Sequence, residues 1–208
     1  IRDRTPVVKG WCTEVGQELA SLGVQVHGGM GFVEETGIAQ VYRDVRITTI
    51  YEGTTGIQAN DLIGRKLIRD GGQALGAALD DMDALVAAMA GDSQLDIVRQ
   101  ALATGRDGLA TARDYVLTHH ADDPSIPGAA AVSFLLLCGT VMGGWQLARG
   151  AHAASQLLAQ GEGDPEYLNA RISVANFYAD HIMPRALGYR ASVEAGAAST
   201  MSLADEQF

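Results

Sequence analysis

The sequence of 208 residues is poor in basic residues and in cysteine, and each shortage excludes a class of protein. It has 15 lysines and arginines and 25 aspartates and glutamates, which gives a formal net charge of −10. An acidic chain repels phosphate backbones, so we expect no nucleic-acid partner. The two cysteines, Cys12 and Cys138, lie in unrelated segments. That spacing predicts no disulfide framework and indicates a reducing compartment.

Proline is also scarce, and residues that favour strands rarely alternate with polar ones. Alanine and glycine are abundant instead, which favours helices that pack closely through small side chains. We therefore predict an all-α fold. The sequence has no initiator methionine and opens close to a helix start at Thr5-Pro6, so we expect a piece of a longer polypeptide.

Hydrophobic residues at helical spacing predict three helices in the first third of the chain. The first begins at Thr5 and ends at Gly23, the second covers residues 38–45, and the third starts near Thr54. The pair Gly71-Gly72 follows the third helix and is the predicted domain boundary. The predicted domains are therefore residues 1–69 and residues 70–208.

Residues 70–208 have the pattern of a simple helical array with short connections, which predicts an up-down bundle of four helices. The last helix is expected to run to about Ala198, with a kink at Pro184. Residues 128–148 carry no charge over about a transmembrane length. Gly139 and Gly143 permit close helix contact in lipid or in a soluble bundle. Amphipathic helices flank this segment, so we interpret it as a buried bundle helix and expect no membrane span.

Residues 25–32, QVHGGMGF, form a glycine-rich segment between two predicted helices. Adjacent glycines let the backbone approach a ligand and expose successive N–H groups, which suits a phosphate. The alternative is a turn between helices that needs positive φ angles. No strand precedes the segment, so it is not a dinucleotide fingerprint.

The second segment of interest is IYEGTTGIQ, residues 50–58, in which Glu52 precedes Gly53 at the start of a helix. A carboxylate there is either a partner of the helix dipole or, in a dry pocket, a general base with a raised pKa. His119 and His120, with two aspartates nearby, suggest metal ligands, but adjacent histidines point apart on a helix. We therefore expect no metal site.

Taken together, QVHGGMGF and YRDVRITTIYEGTTGIQ resemble the C-terminal signature of the acyl-CoA dehydrogenase family in order, spacing and residue type. The resemblance covers residues 1 to about 69 and implies three helices of that family's C-terminal helical domain. Residues 70–208 are similar to the helical extension of its larger members. These include the group similar to 3-(methylthio)propanoyl-CoA dehydrogenase, whose tail resembles FYADHIMPRALGYRASVEAGAASTMSL.

The resemblance also implies a reaction. Glu52 matches the base that removes the pro-R α-proton of an acyl-CoA thioester while the β-hydride passes to FAD, which yields the trans-2-enoyl-CoA. The backbone N–H of Glu52 would donate to the thioester oxygen, together with the ribityl chain of the flavin. Tyr51 and Gly53 would line the substrate site.

The cofactor contacts implied by the resemblance lie in both motifs. One set matches the stretch that touches FAD bound mainly by the neighbouring subunit, namely Gln25, Val26, His27, Gly28 and Gly29. Thr54 matches a further FAD contact. Gly56 stands where the family commonly has Gln or Glu, so a contact there must come from the backbone or through water. A helix turns the nearby Gln58 to another face.

The resemblance further implies an acyl-CoA substrate, an electron-transferring flavoprotein as electron acceptor and a homo-oligomer, either a dimer or a tetramer. It implies a bacterial cytoplasmic location, with a peripheral membrane position as an alternative, or the mitochondrial matrix in a eukaryote. The family's N-terminal helices, β-domain and pyrophosphate-binding arginine are not in the sequence, so we expect the isolated fragment to be inactive.

Two alternatives stay open. An acyl-CoA oxidase would use the same base and differ only in oxygen access to the reduced flavin. A non-catalytic helical scaffold or dimerisation module would use the glycine-rich turn only for packing. An enzyme fragment should place Glu52 at the wall of an open cleft and leave an apolar face exposed on the first three helices, whereas a scaffold should bury Glu52 or fully solvate it.

Overall fold

A computed structural model describes residues 5–207, and this part of the chain contains nine α-helices and no strand. The predicted all-α fold is confirmed. In chain order the helices are α1 (Thr5–Val26), α2 (Gly29–Phe32), α3 (Ile38–Arg46), α4 (Thr55–Asn60), α5 (Gln73–Ala88), α6 (Asp96–His119), α7 (Ile126–Gln160), α8 (Pro165–His181) and α9 (Arg185–Glu194).

The first three predicted helices are present as α1, α3 and α4, with differences at their ends. Helix α1 continues past Gly23 to Val26, because Gly23 packs inside the helix against Ile38 and the left-handed glycine that follows the helix is Gly28, with a φ of 61°. The third predicted helix continues as expected toward Gly71-Gly72, but after α4 it takes π-helical geometry over Asp61–Ile68, which the hydrophobic spacing did not predict.

The predicted last helix is wrong as a single element, because the chain forms two helices there. Helix α8 ends at His181, and the N–H groups of Ile182 and Met183 both donate to the carbonyl of Tyr178. Pro184 has no N–H to continue the ladder, and α9 starts directly after it. Helix α9 ends at Glu194, so the second part of the chain has five helices among the described residues where four were predicted.

The bundle of α5–α9 is antiparallel around α7, as predicted for an up-down arrangement. On α7 and α8, Thr140 lies beside Tyr178 and Gly150 beside Arg171, so the residue numbers run in opposite directions. On α5 and α6, Gly76 lies beside Arg113 and Asp83 pairs with Arg106, which is the same antiparallel sense. Helix α7 also contacts α1, α4, α6 and α9 and is the central element.

Helix α7 is long and apolar enough to cross a membrane by length and composition, and it contains the uncharged segment of residues 128–148. In the bundle, 56% of its most apolar window is buried. Phe134, Leu135 and Leu137 have at most 1% of their surface exposed, and Cys138 is buried beside them. This burial is that of a core helix and supports the bundle interpretation.

The two predicted domains share one hydrophobic core. Val7, Ala59 and Ile63 from the first part belong to the same buried cluster as Leu79 and Leu135 from the second. Gly71 and Gly72 both have positive φ angles, which gives a tight turn between α4 and α5. The division at this glycine pair stays a prediction, because packing is continuous across it.

Glycines let α1 approach α7 closely. A Cβ on Gly10 of α1 would lie 2.7 Å from Leu135, and a Cβ on Gly139 of α7 would overlap the side chain of Trp11. A Cβ on Gly143 would lie 3.2 Å from the same indole ring. The Gly139 and Gly143 pair therefore forms a groove on α7 that receives Trp11 of α1.

This contact predicts opposite effects for the same substitution at two positions of α7. Gly139→Ala should lower the free energy of unfolding by about 1–3 kcal/mol, because the methyl group overpacks against Trp11. Gly128→Ala, where an added Cβ meets no atom within 4 Å, should raise it by about 0.5–1 kcal/mol through helix propensity. Urea denaturation of both variants measures the difference, and an equal effect at both positions would contradict the close approach.

An ion pair joins α1 to α9 at the surface. The guanidinium of Arg185 donates to both carboxylate oxygens of Glu18 at 2.8 Å, and each side chain is nearly half exposed. The hydrogen bond from Arg185, reinforced by its charge, lowers the pKa of the Glu18 carboxyl despite its partial burial.

The lowered pKa gives this pair a pH dependence with a definite sign. Its stabilisation should be present above the ordinary pKa of glutamate, about 4.3, and be lost as the pH falls through the lowered folded-state pKa. Glu18→Gln should therefore cost roughly 0.5 kcal/mol at pH 7 and nothing in strong acid. Urea titrations from pH 7 downward check this, with the exposed Glu162→Gln as control. A cost that persists at the lowest pH would contradict it.

Candidate functional site

Glu52 lies in a strained loop between α3 and α4. A short 3₁₀ turn, Ile47–Thr49, leads into it, and the N–H groups of Ile50 and Tyr51 both donate to the carbonyl of Ile47. Glu52 then has a φ of 52° and Gly53 a φ of 91°. In residues 5–207 Glu52 is the one non-glycine residue with positive φ. A left-handed conformation costs such a residue about 1–2 kcal/mol, so other contacts must hold it.

The carboxylate and the backbone N–H of Glu52 have no hydrogen-bond partner in the described part of the chain. Its carboxylate forms no hydrogen bond or ion pair there, and its backbone N–H donates to no acceptor. The residue is exposed. An acid and an adjacent N–H donor are therefore both available to a ligand.

Three side chains hold the loop from the protein side. Gln58 Nε2 donates to the carbonyl oxygen of Glu52 at 3.1 Å, and Lys9 Nζ donates to the carbonyl oxygen of Gly53 at 2.6 Å. The hydroxyl of Thr55 donates to Glu14 Oε1 at 2.5 Å. Sequence reasoning gave no role to Lys9 or Glu14, because both lie more than forty residues away on α1 and look like ordinary helix residues.

The role of helix entry belongs to Thr54 and not to Glu52. Thr54 is the N-cap of α4, and its hydroxyl accepts from the N–H of Ile57 at 3.4 Å. Glu52 stands two residues earlier, outside the helix. At Gly56 an added Cβ would meet only the Thr54 hydroxyl, at 4.0 Å, so the backbone there is open. The amide of Gln58 contacts the Glu52 loop, where its Nε2 donates to the carbonyl oxygen of Glu52.

The glycine-rich segment lies at the C-terminal end of α1. Gln25 and Val26 end that helix, and His27 is exposed, with its ring Nδ1 2.9 Å from the carbonyl oxygen of Gly23. Gly28 has positive φ, which confirms the turn interpretation. A Cβ on Gly28 or Gly29 would meet no atom within 4 Å, so the backbone is also open to an approaching ligand.

The structure does not bring the two predicted groups of residues together. Lys9 contacts Gly53 near the start of α1, whereas Val26 ends the helix. At 1.5 Å per residue the two ends are roughly 25 Å apart. Gln25, Val26, His27, Gly28 and Gly29 therefore form one surface, and Tyr51, Glu52, Gly53, Thr54 and Gly56 form another.

Glu52 lines none of the four most prominent grooves of residues 5–207, so the expected cleft around it is not seen among them. One of these grooves, of about 1010 Å³, lies between α1, α3 and the helices α7–α9, with Trp11, Leu22 and Phe177 among its lining residues. Its walls come from segments more than one hundred residues apart, so no local pattern in the sequence indicates this groove.

Exposed apolar side chains are concentrated in the segment that forms the first three predicted helices and their connections. Twelve of the twenty large hydrophobic side chains that are exposed in residues 5–207 lie between Val8 and Ile57. Val26 and Phe32 are the most exposed of them, at 84% each. An isolated domain rarely exposes so many large apolar groups in one region, so this surface is suited to contact with further protein.

The two histidines at the end of α6 form hydrogen bonds with carbonyl groups of their own helix. Nδ1 of His119 lies 2.8 Å from the carbonyl oxygen of Tyr115, and Nδ1 of His120 lies 3.1 Å from that of Val116. Within residues 5–207 no three His, Cys, Asp or Glu side chains come together as a metal site.

Two family models match the chain in succession. The model described as acyl-CoA dehydrogenase, C-terminal domain, matches residues 2–67. The model described as acetyl-CoA dehydrogenase C-terminal like matches residues 78–204.

Known relatives agree with these matches. The chain is 48% identical to 3-methylmercaptopropionyl-CoA dehydrogenase of Ruegeria pomeroyi over 86% of the chain and 30% of that protein. It is 34% identical to the broad-specificity linear acyl-CoA dehydrogenase FadE5 of Mycobacterium tuberculosis over 91% of the chain and 32% of that protein. It is 38% identical to the caffeyl-CoA reductase-Etf complex subunit CarC of Acetobacterium woodii over 29% of the chain and 16% of that protein. The chain thus spans about a third of the length of the first two relatives.

The geometry of the Glu52 loop predicts a strong requirement for glycine at position 53. Gly53→Ala should lower the free energy of unfolding by about 1–2 kcal/mol, because alanine is disfavoured at a φ of 91°. Its Cβ would also lie 2.9 Å from Gln58 Nε2. Gly64→Ala, with open space around the added Cβ, is the matched control and should cost nothing. Equal unfolding midpoints in urea would refute the strained loop.

Proposed function

The chain belongs to the acyl-CoA dehydrogenase family, and on that premise we propose that the protein carrying it is an FAD-dependent acyl-CoA dehydrogenase. The proposed reaction removes one hydrogen from the α-carbon and one from the β-carbon of an acyl-CoA thioester. The product is the trans-2-enoyl-CoA. Since the chain spans about a third of its relatives, the activity is proposed for the whole protein.

The observation that carries the proposal is the state of Glu52. A non-glycine residue is held in a left-handed conformation on an exposed loop, and its carboxylate is left without a protein partner in the described residues. Strain of this kind persists where function requires a particular side-chain direction. We assign Glu52 the role of the base that takes the α-proton onto a carboxylate oxygen.

The backbone N–H of Glu52 supports the same assignment. As the α-proton leaves, negative charge develops on the thioester oxygen, and a fixed N–H donor lowers the energy of that charge. In the described residues this N–H has no internal acceptor, so it is free to donate to a thioester. Tyr51 and Gly53 flank it and are the proposed substrate contacts.

The open backbone positions fit the proposed cofactor. The hydroxyl of Thr54 and the uncovered backbone at Gly56 would face one FAD, and the open turn at Gly28 and Gly29 would face the FAD of a neighbouring subunit. Two separate contact surfaces, roughly 25 Å apart along α1, suit an oligomer in which each subunit touches two cofactors. When bound, FAD supplies the acceptor for the β-hydride.

We further propose an electron-transferring flavoprotein as the electron acceptor, since one relative is named as a subunit of a complex with Etf. The exposed apolar side chains between Val8 and Ile57 are proposed to contact the remaining parts of the polypeptide. Those parts would also complete the wall of the cleft around Glu52. On this view residues 1–208 alone are inactive.

The test uses the complete protein that carries the chain, purified with its flavin. A panel of acyl-CoA thioesters is added without oxygen, and loss of the flavin absorbance is followed for wild type and for Glu52→Gln. We expect bleaching in wild type and a rate at least about 10²-fold lower in the variant, because an amide does not accept the proton.

Glu162→Gln, an exposed position of the bundle, is the matched control and should bleach like wild type. Retention of yellow flavin by Glu52→Gln shows that the cofactor site is intact. Equal bleaching in Glu52→Gln and wild type, or no bound flavin in either, would overturn the proposal. Admission of oxygen after bleaching separates a dehydrogenase, which reoxidises slowly, from an oxidase.

A further inference from the structure

We infer that Lys9 and Gln58 are positioning residues for the base, an inference that rests on the proposed function of Glu52. Neither side chain contacts the carboxylate. Lys9 Nζ donates to the carbonyl oxygen of Gly53 at 2.6 Å, and Gln58 Nε2 donates to that of Glu52 at 3.1 Å. These are the two carbonyl groups that directly follow the α-carbon of Glu52.

Holding those two carbonyls restricts the backbone that directs the Glu52 side chain. Peptide groups are planar, so each hydrogen bond orients one complete peptide plane. The plane after Glu52 determines its ψ angle, and the next plane determines the conformation of Gly53. On the other side of Glu52, the N–H of Tyr51 donates to the carbonyl of Ile47. With the chain held both before and after it, Glu52 stays at a φ of 52° instead of relaxing to the right-handed or extended region.

Lys9 is suited to this task because it stands on a rigid part of α1. The adjacent residue, Gly10, is buried against Leu135 of α7, so the helix cannot shift at this point without disturbing the core. The ammonium group also lies 6.0 Å from the centre of the Tyr51 ring, within range of a cation–π contact. Lys9 therefore contacts the residues on both sides of Glu52.

Gln58 holds the loop from α4. It comes from α4, the helix that the loop enters, and its amide group lies close to Gly53. Thr55 adds a third attachment through Glu14 of α1. The loop is thus attached to α1 and to α4, and the carbonyl side of Glu52 faces the protein while its N–H stays free.

The test again uses the complete flavin-containing protein, with Lys9→Met and Gln58→Met. Both variants remove a donor and keep a side chain of similar length, and the second does so without a change of charge. We expect each to lower kcat per bound flavin by about 10–100-fold, since small displacements of a reacting group have effects of that size. KM and flavin content should change less than twofold.

A second readout isolates the base from the flavin. In D₂O, an acyl-CoA thioester that has no hydrogen on its β-atom cannot be oxidised, but its α-protons exchange if a base removes them. NMR of this exchange should show the same 10–100-fold decrease in Lys9→Met and Gln58→Met. Lys9→Arg, which keeps a cationic donor, should recover most of the wild-type exchange rate.

The control is Gln73→Met, which makes the same chemical change at an exposed position of α5 and should match wild type in every assay. If Lys9→Met fails to fold, the charge-neutral Gln58→Met alone decides the question. Wild-type kcat and exchange in Gln58→Met would overturn the inference, and so would loss of activity only in proportion to lost flavin.

The outcomes also separate this inference from the proposed function. If wild type exchanges α-protons and Glu52→Gln does not, Glu52 is the base, and normal rates in Lys9→Met and Gln58→Met then refute only the positioning role. If wild type shows no exchange with any thioester, or Glu52→Gln exchanges normally, the proposed function itself fails.

Discussion

The close approach of α1 to α7 is the contact on which the rest of the structure depends. Gly10 on one helix and Gly139 with Gly143 on the other remove the side chains that would hold the backbones apart. Trp11 fills the resulting groove and covers the two glycines of α7. Because α7 is also the centre of the antiparallel bundle, this contact joins the first part of the chain to the second in one core.

The contact between α1 and α7 also determines the position of Lys9 relative to the Glu52 loop. Lys9 precedes Gly10, so the packing of α1 on α7 determines where the ammonium group meets the carbonyl of Gly53. The unfavourable left-handed conformation of Glu52 is then offset by hydrogen bonds from Lys9 and Gln58. The helical extension thus has a physical connection to the proposed base through two successive contacts, from α7 to α1 and from Lys9 to the carbonyl of Gly53.

Much of the fold was predictable from local patterns. The position of α3 and the cap of α4 at Thr54 follow from capping chemistry and hydrophobic spacing, which act within a few residues. The predicted helix start at Thr5 lies at the edge of the described residues and stays a prediction. The predictions failed where distant residues decide the outcome. Gly23 stays helical because Ile38 packs against it, and the helix expected to kink at Pro184 divides in two where Met183 is buried in the bundle core. In contrast, two short motifs were sufficient to predict membership of the acyl-CoA dehydrogenase family.

The sequence by itself determined the helical class, the family and the identity of the acid in the motif YEGT, because each depends on residue type and short-range order. Only the tertiary structure decided the conformation of that acid, the free state of its N–H and the side chains that hold its loop. Lys9 and Glu14 lie more than forty residues from their partners, and no local pattern marks a lysine as the donor to a particular carbonyl. The distance between the two predicted binding surfaces could not be predicted from the sequence either, since it depends on the length of α1 as a rigid helix.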